Sequence, residues 1–339
     1  MRTGKALFSP WLWLRLVLAA ALLTFVVGRN GPERIVKALL AADPAWTAAA
    51  ALAFFLSVAG GAFQWHVLLR LQGFDYGFRA CFRSYYSGMF LNNFMPGTVG
   101  GDALRVWDVH RSESAEGGLG KAAAATLLDR LFGFSALAFF SLLALVYELN
   151  RRQLPGDLLR HLLLAVGAVS LCFALLLLVL LSRRASQTFH SVIAILGLER
   201  LDAAYAKVQA SLLAYKARWG RMALVFAVAC VVQTLRIGVH LLSAWALALY
   251  LPPSFFLSFI PLIALAAVLP LNVGGWGVPQ GLGAYLYSLP GILAPAAAIA
   301  AITDFDVRAA ATALAFLPSV IGMVVMLGGG FYFVVGRKK

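Results

Sequence analysis

Runs of about 20 apolar residues recur along the chain between shorter polar connections, and a helix of that length crosses a hydrocarbon core of about 30 Å. The clear runs are Leu12–Gly28, Ala45–Leu69, Ala122–Leu149, Leu162–Ser182, Met222–Leu251 and Ala309–Val335. Two shorter candidates are Phe255–Leu269 and Leu282–Ile302. The pattern predicts an all-α, polytopic integral membrane helix bundle. It has about eight transmembrane segments if both short runs cross, and six with a re-entrant hairpin if they do not.

Two hydrophobic stretches, residues 92–102 and 270–281, are broken by Pro, Gly and Asn. Pro lacks a backbone N–H and Gly carries an entropy cost, so neither stretch can continue as one regular helix. In lipid, the freed backbone groups must be satisfied by protein or by a water-filled cavity. Broken segments in corresponding parts of two halves indicate a transporter's binding site. The residues predicted to form these structural loops are Pro96, Gly97, Gly100, Gly101, Asp102, Pro270, Gly274, Gly275 and Gly277.

Composition agrees with a membrane protein. Hydrophobic residues make up 62% of the 339 residues and charged residues 12%, whereas a soluble domain carries about 25% charge. The net charge is +14, and the basic residues concentrate in alternate connections between the apolar runs. This positive-inside pattern predicts that both termini are cytoplasmic. We expect the basic residues to meet membrane lipids with anionic headgroups and not nucleic acid.

No linker or low-complexity tract divides the chain, which predicts a single transmembrane domain over residues 1–339. The two broken stretches suggest a weak internal repeat with halves 1–150 and 160–335. Between the halves, residues 185–220 carry apolar positions at helical spacing among basic ones. This connection is either an amphipathic helix on the cytoplasmic surface or a soluble helical hairpin.

Ionisable residues inside membrane spans are costly and are functional candidates. Asp129 and Arg130 are adjacent, so they point about 100° apart and each should seek a partner on another helix or a substrate. Arg236 lies on one helix face with Gln233 and His240. Its guanidinium could bind a phosphate or neutralise Asp129. The predicted substrate-binding residues are Asn92, Asn93, Arg105, Asp129, Arg130, Arg236 and Asn272.

Motifs for catalysis are weak. No metal-ligand spacing, Walker loop or nucleophile elbow occurs in the sequence, so we predict no cofactor. A transporter is therefore favoured over an enzyme.

Three motifs resemble those of a known family. They are Asn-Asn-x-x-Pro-Gly-x-x-Gly-Gly-Asp-x-x-Arg at 92–105, Leu-Asp-Arg-Leu-x-Gly at 128–133 and Gly-Gly-Trp-Gly-Val at 274–278. Together they resemble the lysylphosphatidylglycerol synthase transmembrane-region family of bacteria and archaea, which includes the flippase half of the multiple peptide resistance factor. One departure is Pro279-Gln280, where members often carry an Arg-Glu pair.

The resemblance implies a translocase in a bacterial or archaeal cytoplasmic membrane. It would move an anionic or modified phospholipid, or a lipid-linked saccharide, between leaflets. The soluble aminoacyl-transferase domain of fused relatives has no counterpart in this sequence, so we expect no aminoacylation by this chain. Two alternatives stay open. The chain could be an accessory subunit that docks a glycosyltransferase or lipid-modifying enzyme through Arg183–Arg221, or an intramembrane transferase with Asp102 or Asp129 as base.

Overall fold

Long apolar helices make up most of the computed structural model. The structure describes residues 21, 24–29, 31–93, 99–112, 118–151, 219–268, 272, 276–289, 292–295 and 306–335, with isolated positions between 156 and 209. Within these residues the elements, in chain order, are α1 (Pro32–Leu40), α2 (Pro44–Leu71), α3 (Phe78–Asn92), α4 (Val99–Ser112), α5 (Gly118–Arg151), α6 (Trp219–Ala246), β1 (Leu249–Tyr250), α7 (Pro253–Val268), α8 (Val278–Tyr287), β2 (Ala294–Pro295) and α9 (Val307–Val335).

Four of the described helices are long and apolar enough to cross a membrane, namely α2, α5, α6 and α9. They contain the predicted runs Ala45–Leu69, Ala122–Leu149 and Ala309–Val335 and, in large part, Met222–Leu251. The all-α membrane class is therefore confirmed. The predicted span Leu162–Ser182 and most of Leu12–Gly28 lie outside the described residues, so the total number of crossings stays a prediction.

The predicted crossing Leu282–Ile302 is wrong as a single helix. The helix α8 ends at Tyr287, and the short strand β2 follows at Ala294–Pro295. A helix of 10 residues is about 15 Å long, half the hydrocarbon thickness. The chain leaves the helix here because the residue before Pro290 disfavours helical backbone.

The same order of helices occurs twice. Among the described residues, each series begins with a 28-residue helix, α2 or α6. Two short helices follow, α3 and α4 with 15 and 14 residues, or α7 and α8 with 16 and 10. A long helix closes each series, α5 with 34 residues and α9 with 29. The internal repeat with halves 1–150 and 160–335 stays a prediction.

The chain forms two compact units, built from interleaved segments and not from the two halves. The first unit contains Met1–Val58, Tyr85–Asp102 and Thr234–Lys339, and the second contains Ala59–Ser84 and Ala103–Gln233. The helices α2, α3, α4 and α6 therefore each contribute residues to both units.

Within the first unit, α3 and α9 approach closely at three consecutive glycines. A Cβ on Gly329 would overlap the carbonyl oxygen of Tyr86, and one on Gly330 would lie 2.8 Å from the Phe90 ring. The hydroxyl of Ser87 also donates a hydrogen bond to the Gly329 carbonyl at 3.3 Å. A side chain at Gly329 would force the two backbones apart, so this glycine permits the close approach of the helices.

In the first unit, the start of α2 lies beside the end of α6. The Asp43 N–H donates to the carbonyl of Ala246 at 2.8 Å, and the Trp46 and Trp245 rings lie 4.9 Å apart. Ala50 packs further along against Val239, so α2 and α6 run antiparallel in this unit. The strands β1 and β2 form an antiparallel pair in the same unit.

In the second unit, glycine again permits close helix packing. A Cβ on Gly60 would lie 2.8 Å from a methyl group of Val232. The Phe139 and Phe226 rings meet edge to face with centroids 6.0 Å apart. The remaining core of this unit surrounds a polar cluster, which is described below.

Candidate functional site

The first broken stretch leads into the helix α4, and the side chain of Asn92 caps the start of this helix. The N–H of Gly101, in the first turn of α4, donates to the Asn92 Oδ1 at 2.8 Å. The first N–H groups of a helix have no partner inside it, and Asn is a favoured acceptor for them. A Cβ on Gly101 would overlap the carbonyl oxygen of Gly88, so glycine is required where α3 and α4 meet.

The predicted loop differs from the structure over part of this stretch. Gly100, Gly101 and Asp102 lie within the first turn of α4 and not in a loop, and Asp102 is not the N-cap residue. The amide of Asn92 supplies the cap from the preceding helix, so α4 can begin three residues earlier than Asp102. Pro96 and Gly97 lie outside the described residues.

The second broken stretch is closed in a similar way. The buried Asn272 accepts a hydrogen bond from the Val278 N–H at 3.0 Å, at the first residue of α8. Its Nδ2 donates to the Ala266 carbonyl near the end of α7 at 2.6 Å. The single amide therefore connects the end of one short helix to the start of the next. Pro270, Gly274 and Gly275 lie outside the described residues.

Gln280 adds a second cap to the same helix. Gly277, at a positive φ of 118°, donates its N–H to the Gln280 Oε1 at 2.7 Å. The Gln280 Nε2 donates to the Ser319 hydroxyl on α9 at 2.8 Å. Both the amide oxygen and the amide nitrogen of Gln280 therefore form hydrogen bonds within the protein. This is the position where members of the family that the motifs resemble often carry Glu.

A buried ion pair forms the polar cluster of the second unit. The Arg105 Nη1 lies 3.0 Å from the Asp129 Oδ2, and the two side chains are 4% and 5% exposed. This confirms the expectation that Asp129 finds a partner on another helix, and it identifies that partner as Arg105 and not Arg236.

Three further side chains complete the cluster, and sequence reasoning missed them. The Gln64 Nε2 donates to Oδ1 and to the main-chain oxygen of Asp129, both at 3.0 Å. The Trp65 ring lies 5.1 Å from the Arg105 guanidinium, within cation–π distance. The Trp65 Nε1 donates to the Thr126 hydroxyl at 3.1 Å. The available signal was a glutamine inside an apolar span.

The polar face predicted on α6 is present. Gln233 belongs to the second unit, where its Nε2 donates to the Gly133 carbonyl at 3.1 Å. Arg236 and His240 belong to the first unit, and both are partly buried. Among the described residues, no hydrogen-bond or ion-pair partner occurs for the Arg236 guanidinium or for the buried Nδ1 of His240.

The other predicted residues are in varied settings. Arg130 and Asn93 are partly buried, and the Asn93 N–H donates to the Phe90 carbonyl at 3.1 Å. Glu148, which sequence reasoning also missed, is 1% exposed, and its carboxylate has no hydrogen-bond partner among the described residues. The described part of the chain contains no group of three His, Cys, Asp or Glu side chains that could hold a metal ion.

These helices and their buried polar groups define an α-helical membrane protein with two interrupted helical pairs. The chain belongs to the lysylphosphatidylglycerol synthase TM region family, whose model matches residues 12–318. A UPF0104 membrane protein of Pyrococcus horikoshii is 26% identical over 167 residues, which cover 49% of this chain. The match spans about half, 48%, of that relative. Family membership confirms the resemblance that the three motifs indicated.

Proposed function

We propose that the protein is a translocase that moves a phosphate-headed lipid between the two leaflets of a membrane. Its substrate class would be an anionic or modified phospholipid or a lipid-linked saccharide. Membership in the lysylphosphatidylglycerol synthase TM region family supports this proposal, because the family's name refers to a phospholipid whose phosphate-containing headgroup is modified with lysine.

The observation that carries the proposal is the pair of interrupted helical segments. Each of the helices α3, α4, α7 and α8 has 10 to 16 residues, or about 15 to 24 Å, which is less than the hydrocarbon thickness. An asparagine fixes the start of the second helix in both pairs. Discontinuous helices of this kind form the substrate sites of many transporters, since their breaks expose backbone groups to a polar ligand.

The contacts divide the candidate residues by role. Asn92 and Asn272 bind main-chain groups and would shape the breaks. Arg105 and Asp129 neutralise one another and would hold the helices in register. We propose Arg236, Arg130 and Asn93 as contacts to the headgroup.

The proposed location is the cytoplasmic membrane of a bacterium or archaeon, with several crossings and both termini in the cytoplasm. The distribution of Lys and Arg supports this orientation. The alternative role as an accessory subunit depends on residues 185–220, nearly all of which lie outside the described residues. No structural observation therefore favours it.

A leaflet-accessibility assay tests the proposal. The purified protein would be reconstituted into vesicles that contain fluorescent phosphatidylglycerol, its lysyl form or a polyprenyl-phosphate sugar, and a membrane-impermeant quencher would then be added. We expect faster loss of the protected fluorescent pool than in protein-free vesicles for at least one lipid. An Arg130→Ala variant that folds normally should lose this acceleration, whereas Arg221→Ala, at an exposed arginine, should retain it. The absence of acceleration for all three lipids would contradict the proposal.

A further inference from the structure

The helix α6 places two cationic or polar side chains deep in its membrane span. Arg236 and His240 are four residues apart, so they lie on the same helix face. Arg236 is ten residues from the end of the span at Ala246, a distance of about 15 Å along the helix axis. This depth is comparable with the middle of a hydrocarbon core, where a charged group is costly unless it has a partner.

Other polar groups near these residues are already satisfied. Ser243, one turn further along α6, donates its hydroxyl to the Val239 carbonyl of its own helix at 2.7 Å. Gln233, one turn earlier, donates to Gly133. Among the described residues, Arg236 and the Nδ1 of His240 make no such bond. The two side chains thus offer hydrogen-bonding capacity that no described residue uses.

The described carboxylates of the first unit do not neutralise Arg236. Asp43 accepts hydrogen bonds from the N–H groups of Ala45 and Trp46 at the start of α2. Asp306 performs the same role at the start of α9 and also pairs with Arg34. The other Asp and Glu side chains described in that unit form no ion pair with Arg236. Among the described residues, no carboxylate therefore balances the charge of Arg236, which leaves its guanidinium available to an anionic ligand.

We propose that Arg236 and His240 together bind the phosphate group of the transported lipid. Arg can hold two phosphate oxygens at once through its planar guanidinium, and an imidazole nitrogen can hydrogen-bond a third oxygen or the headgroup. The inference rests on the proposed function and assigns its headgroup site to this face of α6. It separates Arg236 from Arg105, because the Arg105 charge is already balanced by Asp129.

Binding measurements with short-chain lipids test this assignment independently of transport. The purified full chain in detergent would be titrated with dihexanoyl-phosphatidylglycerol, dihexanoylglycerol and inorganic phosphate, and the dissociation constants compared. We expect the phosphate-bearing lipid to bind more tightly than both other compounds. Equal binding of the lipid without phosphate would overturn the phosphate assignment. Equal binding of inorganic phosphate would overturn the lipid assignment, and the site would then take free phosphate.

Matched variants then test the two residues. Loss of a charge-assisted hydrogen bond is expected to weaken binding of phosphatidylglycerol by about tenfold or more in Arg236→Gln. The Arg236→Lys variant keeps the charge without the planar fork and should be intermediate, and His240→Phe should weaken binding by several-fold. Arg221→Gln at the exposed start of α6 and Ser243→Ala on the same face are the controls, and neither should change affinity by more than about twofold. Unchanged affinity in Arg236→Gln and His240→Phe would overturn the inference.

The same variants in the leaflet assay separate the two proposals. If the native chain binds phosphatidylglycerol through Arg236 but moves no lipid, the site is correct and the translocase function is wrong. If the native chain moves lipid and Arg236→Gln moves it equally fast, the function is correct and the site is wrong. Circular dichroism and gel filtration of each variant would show that the fold is kept.

Discussion

The Arg105 guanidinium and the Asp129 carboxylate form an ion pair 3.0 Å long that is almost completely shielded from solvent. Gln64 binds the second oxygen of this carboxylate, and Trp65 covers the guanidinium. The charges therefore cancel inside the protein, and both groups are hydrogen-bonded. A pair of this kind specifies how α2, α4 and α5 pack more than it adds net stability, since desolvation of two ions costs free energy.

Removal of one partner should be strongly destabilising. We expect Arg105→Met or Asp129→Leu alone to lower the free energy of unfolding by about 3–5 kcal/mol, because the remaining charge is buried without compensation. The double variant should recover most of this loss. Chemical unfolding in detergent micelles would measure the double-mutant cycle. If both single variants unfold as the native chain does but lose lipid movement, the pair contacts substrate instead.

The asparagine caps give a second prediction. Asn92→Leu should lower the free energy of unfolding by about 0.5–2 kcal/mol, the range for loss of a helix cap. Asn272→Leu should cost more than Asn92→Leu, because it also leaves the Ala266 carbonyl without its donor. Thermal unfolding of the purified variants measures both effects. The neighbouring Asn93→Leu is the control, and an equal loss there would show that volume and not capping is responsible.

Much of the fold could be predicted from the sequence because its strongest signal is local. A run of about 20 apolar residues determines a membrane helix without reference to distant contacts, so the runs within α2, α5 and α9 were found with errors of only a few residues at the ends. The prediction of a single crossing at Leu282–Ile302 was wrong, because hydropathy does not show where a helix ends and a turn begins. The start of α4 was misplaced because its cap comes from Asn92, nine positions before Gly101.

The site could be predicted less well, since it depends on contacts between distant helices. The identity of the Asp129 partner follows from how α4 and α5 pack, and spacing within one helix carries no such information. Asn92 and Asn272 were predicted to bind substrate, which stays a prediction, and in the structure their side chains bind main-chain groups. Their hydrogen bonds to main-chain N–H groups could not be read from the sequence, because a cap usually directly precedes its helix.

A pH dependence of stability follows from Asp306. Partial burial raises the pKa of its carboxyl, but hydrogen bonds from Ala309, Arg308 and Arg34 outweigh this, so the pKa lies below its ordinary value. A lowered pKa contributes stability above the unfolded value of about 3.9, and this stability is lost as the pH falls through the folded pKa. The native chain should therefore melt at a higher temperature than Asp306→Asn near neutral pH, and the difference should shrink in acid. A constant difference would contradict this prediction.

Glu148 gives the last prediction, because it is buried near the end of α5 and has no hydrogen-bond donor among the described residues. A buried polar group without a partner costs free energy of folding. Replacement by an apolar residue of similar length should remove that cost, so we expect Glu148→Met to raise the free energy of unfolding by about 1–3 kcal/mol. Glu148→Gln, which keeps the shape and an unpaired polar group, should gain less. Denaturant unfolding of the native chain, Glu148→Met and Glu148→Gln in the same detergent would measure the order of their free energies of unfolding. A loss of stability in Glu148→Met would contradict this prediction and would mean that the carboxylate has a stabilising partner outside the described residues.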